Sequence, residues 1–367
     1  MNDFEKRLQD IARESFIKET FSRQSSALLS NSNISSPSPV PIPAPPKSNY
    51  LTFNTVDVFT TTRFKGNQLA IVHVPAALSL AGQSALLKEL KQTIAREFNF
   101  SETVFLHEPL PSSSPRRLDI FTLKEELPFA GHPVIGTICH VCQSVEPPLE
   151  RVTLLCKAGV IEGRYDRKEN MAEAEIPHDI RIHHQPVGGR AVLKTQPYLS
   201  RTSIITSELP VVSIVKGMSF ILVSLPSVKP HLEKLDVGHF DVDDSYVTLD
   251  EGWEKSFVGT YFYAITSHPN EKINRIRTRM LEPSVGEDPA TGSAACTLAC
   301  FLSLKEGKAN KTHKTYEYSI QQGVEMGRES EIFVRVTLEA SGKAVQKVVL
   351  AGRAVPVTQG TMMLPET

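Results

Sequence analysis

A chain of 367 residues, 40% apolar and 22% charged, has the composition of a folded globular protein and is too long for one small core. Its formal net charge of -1 excludes the basic field that recruits nucleic acid and the polybasic stretch that seeks anionic membranes. The longest apolar runs, such as FAGHPVIGTICHVC, are too short and too polar to span a bilayer.

The N-terminus, MNDFEKRLQDIARESF, has acids and no continuous apolar stretch, so it reads neither as a secretory signal nor as a mitochondrial presequence. Five cysteines without a signal peptide read as reduced thiols of a cytoplasmic protein. Phe4, Leu8, Ile11 and Phe16 have the spacing of a short amphipathic helix. Residues 24–48 are Ser/Pro-rich, almost uncharged and aperiodic, which makes 1–48 a disordered extension.

The folded body begins near Tyr50, where YLTFNTVDVF and QLAIVHV read as neighbouring strands. Leu87, Leu90, Ile94 and Phe98 then recur at helical spacing. TVFL and RLDIFT read as strands, followed by a Gly131-His132-Pro133 turn and an apolar helix through VIGTICHVCQSV. Residues 151–176 read as hairpins. The second part repeats the plan: strands FILVSL and TYFYAIT, a Thr291-Gly292-Ser293 turn, then the helix AACTLACFLSL. YEYSI, EIFVRVTL and KVVLAGRAVPV close the chain as strands. The alternation is too irregular for repeated parallel βαβ units and predicts an α+β fold, with a sheet wrapped on a helix in each half. The halves are expected at 49–165, with 355–367 returning to it, and at 166–354.

Two glycine turns, each opening an apolar helix, need explaining. A helix start exposes unsatisfied N–H groups and the positive end of the helix dipole, so it can hold a carboxylate. Two such starts facing one cleft would hold an anionic substrate between the halves. Both could equally be local helix caps, since Gly and Ser are common there.

Four stretches, FKGNQLAIV (64–72), AREFNFSETVFL (95–106), DIFTLKEELPFAGHPVIGT (119–137) and GEDPATGSAACTLACFL (286–302), resemble the phenazine-biosynthesis PhzF-like family. QQGVEMGRES (321–330) is similar to that family's QG-x-x-x-GR near the C-terminus. The resemblance runs in order over roughly residues 50–365. It implies a diaminopimelate-epimerase-like fold, two pseudo-symmetric halves with the active site between them. It also implies acid–base chemistry with no metal or organic cofactor, and the sequence has no G-x-G-x-x-G after a strand, no Walker loop and no H-E-x-x-H.

Glu102 matches the family's catalytic glutamate, which moves a proton between carbons of trans-2,3-dihydro-3-hydroxyanthranilate. His132 and Asp288 match polar cleft positions: His132 as hydrogen-bond donor or proton shuttle, Asp288 as partner of a substrate amine or hydroxyl, or as a group that sets its neighbours' protonation. Gly131, Gly292 and Ser293 would supply donors to the substrate carboxylate, and Asn67 would join them as a substrate-binding position, mostly by shaping the turn beside the site. Gln68 stands where the family commonly has Pro after Gly-Asn, and Leu123 replaces another Pro, which leaves specificity open.

Other signals carry less. Cys139 and Cys142 have metal-pair spacing, but they lie in an apolar helix with no second pair, so they read as core thiols, as do Cys296 and Cys300. His178, His183 and His184 read as a solvated loop between the halves. The expectation is a cytoplasmic, homodimeric, cofactor-independent isomerase acting on a small carboxylate, without nucleic-acid or membrane partners. A racemase or epimerase on the same fold and a non-catalytic binding protein are the alternatives.

Overall fold

The computed structural model describes residues 50–365, except 77, 79–87, 110–114, 145–148, 203, 206–207, 239–241, 243, 254, 269–270, 284–285 and 311–314. The helix and linker expected over 1–48, and Leu87 of the next helix, lie outside the described residues. Among those described, no helix is long and apolar enough to cross a membrane.

The first half contains β1 (Tyr50–Val58), β2 (Asn67–Val74), α1 (Lys88–Phe98), β3 (Glu102–His107), β4 (Arg116–Phe121), β5 (Glu126–Leu127) and α2 (Gly131–Ser144). It continues past residue 165, through β6 (Arg151–Cys156) and β7 (Gly159–Asp166) to β8 (Met171–Glu175). The second half holds β9 (Arg181–Ile182), the pair β10 (Val187–Gly188) and β11 (Glu208–Leu209), and the short α3 (Gly189–Leu193). There follow β12 (Val211–Val215), β13 (Met218–Ser224), β14 (Phe257–Ile265), β15 (Ile273–Glu282), β16 (Gly286–Asp288) and α4 (Gly292–Asn310). The chain closes with β17 (Thr315–Gln322), β18 (Ser330–Leu338), β19 (Val345–Gly352) and β20 (Ala354–Met363).

Pairing makes the repeat explicit. β1–β2 is antiparallel and β2–β3 parallel, as are β12–β13 and β13–β14. In each half the central helix is the crossover between parallel strands, α2 between β4 and β6, α4 between β15 and β17. A short antiparallel strand precedes each helix, β5 on β4 and β16 on β15. The halves join where β8 pairs antiparallel with β19. β20 returns to pair with β1.

Burial explains the patterns. β7 and β18 alternate inward and outward side chains, as strands with one solvated face must. α2 is buried at every residue from Gly131 to Cys142, and α4 from Gly292 to Cys300, so neither has a polar stripe. α2 touches β1, β2, β3, β6, β7, β8, β19 and β20; α4 touches β12, β13, β17, β18 and β19. All five cysteines are buried free thiols. The His178–His184 segment differs from the expected solvated loop. β9 pairs with β12, and His183 is buried, bonded to Ser213 Oγ at 2.8 Å and to the Asp250 N–H at 3.0 Å, while of the three histidines only His184 is exposed. Both ring nitrogens find partners and the Trp253 ring packs edge-on at 5.5 Å, so the imidazole can be buried with no polar atom left unpaired.

The N-termini of α2 and α4 abut at two glycines. A methyl on Gly131 would lie 3.0 Å from Gly292 Cα and 3.0 Å from Leu350 Cδ2. Gly131→Ala should therefore cost about 1–3 kcal/mol through overpacking, read by urea unfolding. Parent-like stability would mean that the two helix starts are not in fixed contact.

Candidate active site

Both helix starts face one cavity of about 450 Å³, a size suited to a small ligand. Among the described residues, neither of the residues directly ahead of these helices offers its side chain as a cap. Ala130, ahead of α2, has no group to cap with. Thr291, ahead of α4, directs its hydroxyl to Asp288 Oδ2 at 2.5 Å instead. Pro133, in the first turn of α2, has no N–H to satisfy. The first-turn N–H groups of both helices thus remain as donors beside the cavity, the condition for binding an anion.

Glu102 is the first residue of β3, set beside Leu69 of β2, and 17% of its side chain is exposed. His132 is the second residue of α2, and its Nδ1 lies 3.4 Å from Glu102 Oε2. Asp288 ends β16, just before α4. Glu102, His132, Asp288, Gly131, Gly292 and Ser293 all line the cavity. Asn67 does not. It is 2% exposed and lies behind the wall, donating through Nδ2 to Asp288 Oδ1 and to the Ala290 carbonyl, both at 2.9 Å. Its Oδ1 accepts from Ser101 Oγ at 3.2 Å. The placement corrects the reading of Asn67 as a substrate-binding residue that shapes a turn, because a fully engaged, buried amide has nothing left to offer a ligand.

The site is electrostatically tight. Burial raises Glu102 to about 7, opposed by the Ser101 hydrogen bond and reinforced by the charge of Glu282. Burial likewise raises Asp288 to about 7, reinforced by Glu102 and opposed by His132, Thr291 and Asn67. Two carboxylates confined together cannot both ionise easily, so the pair retains a proton toward neutrality. Burial lowers His132 to about 4 against the pull of Asp288, which keeps the imidazole neutral. Among the described residues no cluster of acids, thiols and imidazoles is arranged to hold a metal ion.

The repeat also shows what is one-sided. By strand register Gly259 of β14 holds the place of Glu102 on β3, and Leu127 occupies on β5 the place of Asp288 on β16. Met218, Phe257, Val258 and Met280 form an apolar wall from the second half. Thr291, Gln322 and Tyr261 were missed as site residues. Gln322 Nε2 donates to the Asp288 carbonyl at 2.8 Å and to Thr291 Oγ1 at 3.0 Å, while its Oε1 accepts from Tyr261 OH at 3.0 Å. Thr291 and Gln322 both lie in motifs that the sequence displays, whereas Tyr261 sits in an apolar strand run that hides it.

Residues 56–360 match the family model described as phenazine biosynthesis-like protein, PhzC-PhzF. The chain belongs to the PhzF-like family. An uncharacterized isomerase of Mesorhizobium japonicum is 28% identical over 86% of this chain and 99% of its own. A trans-2,3-dihydro-3-hydroxyanthranilate isomerase of Pseudomonas chlororaphis is 29% identical over 84% of this chain and 98% of its own. The solved PhzF-family structure from Bacillus anthracis superposes with a TM-score of 0.64 at 18% identity, covering 86% of this chain and 99% of that one. The fold of this PhzF-like protein is diaminopimelate-epimerase-like, and its enzyme class is isomerase.

The shifted carboxyl gives a stability signature. Glu102 binds its proton more tightly folded than unfolded. Its contribution is complete below the ordinary value of 4.5 and is lost as pH rises through about 7. His132 acts oppositely, its contribution present above 6.5 and lost as pH falls through about 4, while Asp288 acts as Glu102 does, so the parent's profile mixes all three. Glu102→Gln removes one of them and relieves Asp288 of the charge of Glu102. The variant should gain stability relative to the parent, on the order of 2 kcal/mol, as pH rises from acid to neutral. Urea unfolding at both ends of that range reads the difference, and a pH-independent difference would refute the burial argument.

Proposed function

We propose that this PhzF-like protein is a cofactor-independent isomerase that moves a proton, and with it a double bond, within a small unsaturated carboxylate, with Glu102 as general acid and base. The observation that carries the reading is the convergence of Glu102, His132 and Asp288 with two helix starts on one cavity. The substrate carboxylate lies at the N–H groups of those helix starts, with the Ser293 hydroxyl beside it. Its hydrocarbon face lies against Phe257, Met218 and Met280.

As a carboxylate, Glu102 takes a proton from an allylic carbon, and the C–H electron pair moves into the conjugated system. As a carboxylic acid, Glu102 returns that proton to another carbon of the system. No electrons are gained or lost, and the net change is the position of the double bond. A carboxyl raised to about 7 holds both forms near neutrality, which suits a group that must accept and then donate. His132, kept neutral, donates to substrate oxygen without carrying a charge. Asp288 has both oxygens engaged, by Asn67 and Thr291, and acts on the protonation of Glu102.

A racemase needs bases on both faces of the reacting carbon. In the register place of Glu102 the second half carries Gly259, which has no side chain to serve as a second base, and this favours isomerisation over inversion. Incubation with trans-2,3-dihydro-3-hydroxyanthranilate, the substrate in the relative's name, and with related unsaturated carboxylates in deuterated water should place solvent deuterium on carbon, read by mass spectrometry. Glu102→Gln should lower that rate by roughly 10²- to 10⁴-fold while keeping ligand binding. Undiminished turnover in the variant would overturn the assignment.

A further inference from the structure

The QQGVEMGRES stretch forms the turn between β17 and β18, and no step of the chemistry above uses its arginine. The two ends of this turn grip different halves of the molecule. At one end Gln322 donates to the Asp288 carbonyl and to Thr291 Oγ1, and its Oε1 accepts from the Thr291 N–H at 3.3 Å. At the other end Arg328 spreads its guanidinium over the β1–β2 connection. Nε donates to the Gly66 carbonyl at 2.8 Å, and one terminal nitrogen donates to the Lys65 carbonyl at 3.0 Å and to Asp57 Oδ1 at 2.7 Å.

The Gly66 carbonyl belongs to the peptide bond that carries Asn67. The same glycine's N–H donates to the Glu329 carbonyl at 3.1 Å, so residues 328 and 329 hold both sides of the residue before Asn67. Asp57 is buried, with its second oxygen accepting from the Phe64 N–H at 2.6 Å. Lys65 Nζ closes the contact on the Gly327 carbonyl at 2.8 Å. The turn itself is rigid. Gly323 has φ +73°, and a Cβ there would fall 2.5 Å from the Arg328 carbonyl oxygen and 2.6 Å from that of Pro289. The Arg328 N–H donates to the Gly323 carbonyl at 2.9 Å. One turn therefore holds both partners of the Asn67–Asp288 hydrogen bond, Asn67 through Arg328 and Asp288 through Gln322.

We propose that Arg328 is a positioning residue for the acid–base site: its fork on Asp57 and on the Gly66–Asn67 peptide fixes the Asn67 amide against Asp288 across the two halves. It rests on the reading of Glu102 and Asp288 as the proton-handling pair. A bidentate guanidinium is required, because a lysine ammonium cannot span Asp57 and two carbonyls in one plane. The hydrogen bond from Asn67 favours the ionised form of Asp288, so releasing Asn67 makes Asp288 harder to ionise.

The test titrates Asp288 directly. Infrared spectra of the carboxyl region are recorded across pH in a Glu102→Gln background, as differences against the same protein with Asp288→Asn. Arg328→Met should raise the Asp288 midpoint by about one pH unit, the scale of one lost hydrogen bond to a carboxylate. Asn67→Ala should give the same shift, and Arg328→Met added to Asn67→Ala should shift it no further. Arg328→Lys should shift it in the same direction, and it carries the test if the methionine variant does not fold. An unchanged midpoint with lowered melting temperature would reduce Arg328 to a structural clamp and overturn the proposal. Additive shifts from Arg328→Met and Asn67→Ala would also overturn it, since Arg328 would then act by another route. The measurement uses no substrate, so its failure is separable from failure of the isomerase reading, which deuterium incorporation tests.

Discussion

Two helix N-termini meet glycine to glycine, and the site depends on that contact. Gly131 and Gly292 bring the starts of α2 and α4 within van der Waals distance, with Leu350 sealing both from behind. A side chain at either glycine would push the helices apart and split one anion-binding end into two distant ones. Parallel crossovers in each half aim both helices at the shared boundary. The single buried core that runs through both halves keeps them there. Dipoles aligned toward one point then concentrate positive potential where a carboxylate sits.

Against that positive end stands a pair of carboxyls with little water to disperse their charge. Burial pushes both up, and proximity adds to it. The opposing forces are the Ser101 hydrogen bond on Glu102 and, on Asp288, the His132 imidazole with the hydrogen bonds of Thr291 and Asn67. No lysine or arginine is among them. A buried lysine or arginine here would have held both acids ionised and removed the proton the pair retains. Arg277, Arg279 and Arg328 do not line the cavity and are paired with other acids: Arg279 with Glu287, Arg277 with Glu325 and Arg328 with Asp57. Among the described residues Lys124 is the lysine that lines the cavity, and it is exposed rather than buried beside the acids.

Much of this was legible in the sequence because glycine turns and apolar helices leave strong local marks. The two central helices, β1 to β4 and β17 to β18 follow from periodicity, and Glu102, His132 and Asp288 from motif positions. β15 was not legible. Its INRIRTRMLE carries arginines at every second position, which reads as solvated, whereas Arg279 is buried against Glu287 and the carbonyls of Leu232 and Leu235. KVVLAGRAVPV reads as one strand, yet Arg353 divides it into β19 and β20, which serve different halves. Asn67 was found by its motif but misjudged. Local sequence cannot reveal that an amide will be spent on a partner 221 positions away.

The return of β20 to β1 has a consequence for how the molecule is made. The second half is one uninterrupted stretch from β9 to β19, and its strand pairing needs only β8 from outside. The first half is laid down early, but β1 waits for β20, a pairing between residues as far apart as Tyr50 and Met363. Emerging from a ribosome, the earlier half exposes the β1 edge while the later half is made, and β1 is covered only when β20 arrives. Loop closure over such a distance is slow compared with pairing between neighbours. Asn67 lies in β2, directly beside that waiting strand. The strand that carries Asn67, behind the catalytic wall, is thus flanked by one whose outer partner is the last strand of the chain to be made.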